Sequence, residues 1–232
     1  MLVVHEAARV AGEIRSLMLE GPAGKLEALL NVGDPHTTHA VLICHPHPLF
    51  GGTMHNKVVY NAMKALTSFG FHALRFNFRG TGLSEGTHDE GRGEQQDVLA
   101  ALDFLDNEFH LPIIFTGFSF GTVTGLRAAC PDPRVVGVIS LGTPVNVEGR
   151  AYTYGFLADC AKPKLFISGG NDQYSPREAL EAAFERAAPP KELVIVEHAD
   201  HFFEGKLKQM QTAIDSWVRS YFPHAVRSGE PA

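Results

Sequence analysis

The chain of 232 residues carries a formal net charge of −6, with 44% hydrophobic and 20% charged residues. That length supports a full hydrophobic core, and the acidic balance argues against a nucleic-acid or anionic-membrane partner, since both demand a basic patch. Three scattered cysteines, Cys44, Cys130 and Cys160, make neither a disulfide framework nor a zinc site, and no apolar run reaches the ~18 residues of a membrane span. Residues 1–14 contain Glu6 and Glu13 and no long apolar stretch, so they do not read as a signal peptide. A reduced, cytoplasmic setting is expected.

Residues 14–19 and 26–32 read as strands flanking the turn Gly21-Pro22-Ala23-Gly24, the pattern of an antiparallel pair. The short apolar run 40–44 suits a strand buried on both faces. A loop rich in Pro, His and Gly follows, then a helix over 54–69 with Val59, Met63, Leu66 and Phe69 on one stripe and Gly70 at its end. Strand and helix then alternate. Strands are predicted at 73–78, 112–118, 135–141, 165–168 and 193–197. Helices are predicted at 94–109, 123–130, 177–187 and 207–221, with a shorter one within 147–160. This is an α/β chain: a mainly parallel sheet of about eight strands, helices on both faces and one domain, with a frayed polar tail from about residue 224.

The strand at 112–118 runs into Gly117-Phe118-Ser119-Phe120-Gly121, a G-x-S-x-G pattern between a strand and a helix. A serine on so sharp a turn stands exposed at the carboxyl edge of the sheet, above the helix N-terminus. A nucleophilic serine needs an acid and a base at the same edge. Asp172 follows the strand at 165–168, within Gly169-Gly170-Asn171-Asp172, although that is also a plain turn sequence. His198 and His201 both follow the last strand, and the order Ser, Asp, His fits a triad with either one. One oxyanion donor is expected from the N–H of Phe120. Another is expected from the loop after the strand at 40–44. Pro46 and Pro48 have no N–H, so His47, Leu49 and Phe50 remain.

The stretches His45-Pro46-His47-Pro48-Leu49-Phe50-Gly51-Gly52, Arg75-Phe76-Asn77-Phe78-Arg79-Gly80 and Gly117-Phe118-Ser119-Phe120-Gly121 together resemble the α/β-hydrolases. Within them, the chain is most similar to the small, lidless, dienelactone-hydrolase-like group. The resemblance runs over residues 39–222. It implies the α/β-hydrolase fold without a substantial cap, Ser119 as nucleophile, Asp172 as triad acid and His201 as base. It also favours Leu49 as the second oxyanion donor. Two departures stand out. Dienelactone hydrolase has a cysteine where this chain has Ser119, so its substrate does not carry over. Many relatives have aspartate where this chain has Asn77.

The implied activity is hydrolysis of carboxylic esters of small molecules through an acyl-enzyme. A thioesterase or small peptidase would use the same triad, and a non-catalytic binding protein could use the same fold. Phe50, Phe118 and Phe202 are candidate pocket walls, and Arg79 is a candidate ligand for a substrate carboxylate as well as a loop-fixing residue. His45, His47 and His55 fit no standard zinc spacing and are expected to structure their loop, with no metal or other cofactor. Residues 142–164 have room for one short helix over the sheet, so an open site preferring short acyl groups is expected.

Overall fold

The computed structural model describes residues 12–147, 149–150 and 152–225. In chain order it contains β1 (Ile14–Gly21), β2 (Gly24–Asn31), β3 (Ala40–Cys44), α1 (Lys57–Thr67), β4 (His72–Phe76), α2 (Arg92–Phe109) and β5 (Ile113–Phe118). Then follow α3 (Phe120–Ala129), β6 (Val135–Leu141), β7 (Lys164–Gly169), α4 (Arg177–Glu185), β8 (Lys191–Val196) and α5 (Leu207–Tyr221). The strands form one sheet in the order β1-β2-β4-β3-β5-β6-β7-β8. β1, β2 and β4 pair antiparallel, and every pairing from β4 through β8 is parallel.

Side-chain parity along a strand explains how one sheet builds two cores. In β3, Leu42 and Cys44 join the core that α2 and α3 cover, with Leu102, Leu126 and Phe115. Val41 and Ile43 point to the opposite face, where α1 and α5 contribute Met63, Leu66, Ile214 and Trp217. β3, β4 and β5 are buried along their whole length, as a run of apolar residues between two helical layers requires. Met210 and Ile214 of α5 are fully buried, and each such side chain contributes about 1.5–3 kcal/mol.

The chain steps from β3 to β4 on one side and returns to β5 on the other. The carboxyl ends of β3 and β5 therefore open a crevice in the middle of the sheet, the usual ligand position in open α/β folds.

Two expectations from the sequence are corrected. α1 begins at Lys57, where the Asn56 side chain caps it by accepting from the Val58 N–H. The preceding Met54 is held outside the helix, because its N–H donates to Asn77 Oδ1 and its carbonyl accepts from Arg75. The helix predicted within 147–160 is reduced to a 3-10 turn at Gly155–Asp159. Gly149 has φ +73°, and the Arg150 N–H donates to the Val147 carbonyl at 3.0 Å. Tyr154 is drawn inward, its hydroxyl donating to the Pro144 carbonyl at 2.7 Å. The tail expected to fray from residue 224 lies outside the described residues beyond 225. Among the described residues no helix is long and apolar enough to cross a membrane.

Asn77 has a physical reason to differ from aspartate. Its Nδ2 donates to Glu27 Oε2 at 2.7 Å, and that same oxygen accepts from the Leu83 N–H. An aspartate there would set two carboxylates against each other in a part-buried site.

Candidate active site

Ser119 links β5 to α3 with φ 55° and ψ −118°, a strained conformation for a residue with a side chain. The turn is held from several sides. The Ser119 N–H donates to the Leu141 carbonyl at 2.9 Å, and the Ser119 carbonyl accepts from Thr122 and Val123. The Thr122 hydroxyl donates back to the Gly117 carbonyl at 2.6 Å. The two motif glycines are needed for close approach. A Cβ on Gly117 would lie 2.6 Å from the Thr122 nitrogen, and one on Gly121 would lie 2.6 Å from the carbonyl oxygens of Cys44 and His45. The motif thus lets the α3 N-terminus sit directly against the end of β3.

Two later strands deliver the partners. Asp172 follows β7 and His201 follows β8, and both are almost fully buried. Asp172 Oδ1 accepts from the Tyr174 N–H at 2.9 Å, which orients the carboxylate. Its Oδ2 lies 2.8 Å from His201 Nδ1, and His201 Nε2 lies 3.0 Å from Ser119 Oγ. An ionised carboxylate only accepts, so the imidazole proton sits on Nδ1 and Nε2 accepts from the serine hydroxyl. The imidazole is wedged between Phe118, with ring centroids 5.0 Å apart, and Tyr174 at 4.8 Å. His198, the other candidate base, sits on an exposed turn with φ +60°.

Ser119 and His201 open into a cleft of about 180 Å³ walled by Phe50, Phe202, Tyr174, Tyr152 and Arg150. Phe50 and Phe202, expected in the pocket, line it. Phe118 does not: it is fully buried, in the core beneath the imidazole. Arg79 is also corrected. Its guanidinium forks onto Asp97 of α2, with Nη2 to Oδ1 at 2.7 Å and Nε to Oδ2 at 3.0 Å. That pairing raises its pKa further and consumes the donors a substrate would need.

Leu49 requires a third correction. It lies in a 3-10 turn, Pro48–Phe50, where its N–H donates to His47 Nδ1 at 3.2 Å. The His47 N–H has no hydrogen-bond partner among the described residues, and His47 lines the cleft beside Phe120. Phe120 opens α3, so its N–H has no intrahelical acceptor. The distinction turns on the local 3-10 turn, which residue spacing does not reveal.

The three histidines of this region have separate surroundings. His45 is fully buried; its Nε2 accepts from the Phe78 N–H at 3.0 Å, and its Nδ1 lies 2.6 Å from the Pro46 carbonyl. Burial pushes its pKa down from 6.5 to about 4, with His47 adding to the shift and the Pro46 bond opposing it. His47 is likewise lowered to about 4, first by burial and then by Arg150 and His88. His55 is exposed. Among the described residues, no three His, Cys, Asp or Glu side chains are grouped to hold a metal ion. Tyr174, Tyr152, Asn56 and Arg150 also line the cleft without being singled out by the sequence. Tyr174 alone carried a signal, two residues beyond Asp172.

The comparisons with known proteins bear on the family and the fold. Residues 38–222 match the family described as an alpha/beta hydrolase domain. An uncharacterized protein of Rickettsia prowazekii is 34% identical over 209 residues, covering 87% of each chain. An alpha-beta serine hydrolase homologue from Coxiella burnetii superposes with a TM-score of 0.80 at 35% identity, over 89% of this chain and 97% of its own. A lidless α/β serine hydrolase from Xanthomonas campestris gives 0.81 at 32% identity, over 91% and 96%. With its strand order, its Ser119 turn and this extent of likeness, the chain belongs to the alpha/beta hydrolase family.

Proposed function

We propose that the protein is a serine esterase that hydrolyses short-chain carboxylic esters through an acyl-enzyme on Ser119. The observation that carries this reading is the continuous hydrogen-bonded line from Ser119 Oγ through His201 to Asp172, opening into the cleft. Ser119 Oγ attacks the ester carbonyl carbon while its proton passes to His201 Nε2. Asp172 holds the imidazole by Nδ1 and stabilises its charged form. The carbonyl oxygen becomes an oxyanion, for which the N–H groups of Phe120 and His47 are the available donors. The intermediate collapses as the C–O bond to the alcohol breaks and His201 returns its proton to that oxygen. Water, deprotonated by the same imidazole, then attacks the acyl-enzyme, and Ser119 leaves as the hydroxyl.

The cleft volume of about 180 Å³ suits a small acyl group, and among the described residues the stretch that would hold a lid contributes no α-helix, just an isolated bridge from Val147 to Arg150 and the 3-10 turn at Gly155–Asp159. A fluorophosphonate probe tests the reading: it should label Ser119 stoichiometrically, as shown by peptide mass mapping. Absence of labelling in folded protein would refute the nucleophile.

A further inference from the structure

Beside the cleft at Ser119 lies a second, larger hollow of about 500 Å³. The two share His47, Phe120, Arg150 and Tyr152 in their walls, so they adjoin. Among the described residues, three arginines line the hollow against one carboxylate, Glu90, although the chain as a whole has a net charge of −6. Two of these arginines are occupied. Arg92 pairs with Asp89 at 3.1 Å, and Arg127 donates to the carbonyl and hydroxyl of Thr153 while its guanidinium lies over the Phe156 ring.

Arg150 is different. It is the arginine common to both spaces, it is half-buried, and its guanidinium lies 5.1 Å from the Phe50 ring centroid. It has no carboxylate partner and no side-chain hydrogen bond among the described residues. Stacking on an aromatic face fixes the plane of a guanidinium and leaves its edge donors free. The Arg150 backbone N–H donates to the Val147 carbonyl at 3.0 Å.

We propose that Arg150 binds an anionic group on the substrate, a carboxylate or a phosphate, held in the second hollow while the ester carbonyl lies at Ser119. The substrate class is then an ester that carries a negative charge a few bonds from the scissile carbonyl. This rests on the reading of Ser119 as the nucleophile and narrows it. The fork of donors matches the paired oxygens of a carboxylate or phosphate, and the partly dehydrated cleft strengthens that charge-assisted contact. Since His47 stays neutral at neutral pH, Arg150 supplies the permanent positive charge at the junction of the two spaces.

The test compares matched charged and neutral esters. On the acyl side these are 4-nitrophenyl hemisuccinate and 4-nitrophenyl butyrate; on the alcohol side, 4-acetoxybenzoate and its methyl ester. For at least one pair, kcat/KM for the charged ester should exceed that for the neutral one, and raising salt to about 0.5 M should shrink the ratio. Arg150→Gln should lower that ratio by about 10- to 100-fold, and Arg150→Lys should restore part of it. Inhibition by inorganic phosphate compared with succinate separates the two kinds of anion. A ratio at or below one for both pairs, or one unchanged in Arg150→Gln, overturns the proposal while leaving ester hydrolysis standing. Failure to turn over any ester together with absence of fluorophosphonate labelling would instead sink the hydrolase reading. Calorimetry with monomethyl succinate on the Ser119→Ala protein covers that case. Binding should weaken at least 10-fold when Arg150→Gln is added, and equal binding overturns the proposal whatever the turnover.

Discussion

Ser119 is held at a backbone conformation that costs about 1–3 kcal/mol, and the hydrogen bonds around it maintain that strain. The three proposed catalytic side chains act as a unit, so their losses should not add. Ser119→Ala and His201→Ala should each lower kcat by about 10⁵- to 10⁶-fold and Asp172→Asn by about 10⁴-fold, with double variants little worse than singles. Steady-state assays on folded variants check this. An inactive His198→Ala beside an active His201→Ala would reverse the assignment of the base.

His45 gives a prediction for pH. Its folded pKa of about 4 lies below the ordinary 6.5, so between those values the unfolded chain binds a proton that the folded protein refuses. Its contribution to stability is complete above about pH 6.5 and is lost as pH falls toward 4, amounting to about 3 kcal/mol. Urea unfolding at several pH values should show this decline, and His45→Gln should make it shallower. Equal slopes in the two proteins would mean that His45 protonates freely when folded.

At the scale of elements, α2 is tied to the loop after β4 by Arg79 and Asp97, the latter fully buried. Arg79→Ala would leave that carboxylate without its charged partner, only the residue-79 N–H still donating to it, and should destabilise the fold by about 3–5 kcal/mol, measured by urea denaturation. A raised KM at unchanged stability would restore Arg79 as a substrate ligand. Strand positions were legible because short, β-branched apolar runs such as Ala40–Cys44 are too short for a helix and suit strands between covering layers. Helix limits were less legible. The start of α1 depends on Asn77 and Arg75 holding Met54, contacts made by residues more than 20 positions away. Residues 147–160 have enough apolar side chains for a helix, but Tyr154 bonds inward to Pro144 and the turn that follows it, Gly155–Asp159, is 3-10.

For the whole molecule, the proposed ester hydrolysis makes the open cleft the limit on substrate size. An acyl chain that leaves the cleft meets water and forgoes the about 0.8 kcal/mol that a buried methylene would yield. Across 4-nitrophenyl esters, kcat/KM should peak at roughly two to six acyl carbons and show no jump at a lipid–water interface. A steady rise to twelve carbons would demand an enclosed apolar tunnel and overturn the lidless reading.

The sequence by itself determined the α/β alternation, the Ser119 turn and the order in which Ser119, Asp172 and His201 follow their strands. Each of these is written in local periodicity or in glycines that permit one close approach. Tertiary structure alone decided which side chains face the cleft. Arg79 turned to Asp97, the Leu49 N–H to His47, and Phe118 into the core. Arg150 came to lie over Phe50, a hundred residues away in the chain. Local pattern carries no record of the pairings of Arg79, Phe118 and Arg150, because a side chain's direction is set by whichever distant partner best satisfies its donors or covers its apolar surface.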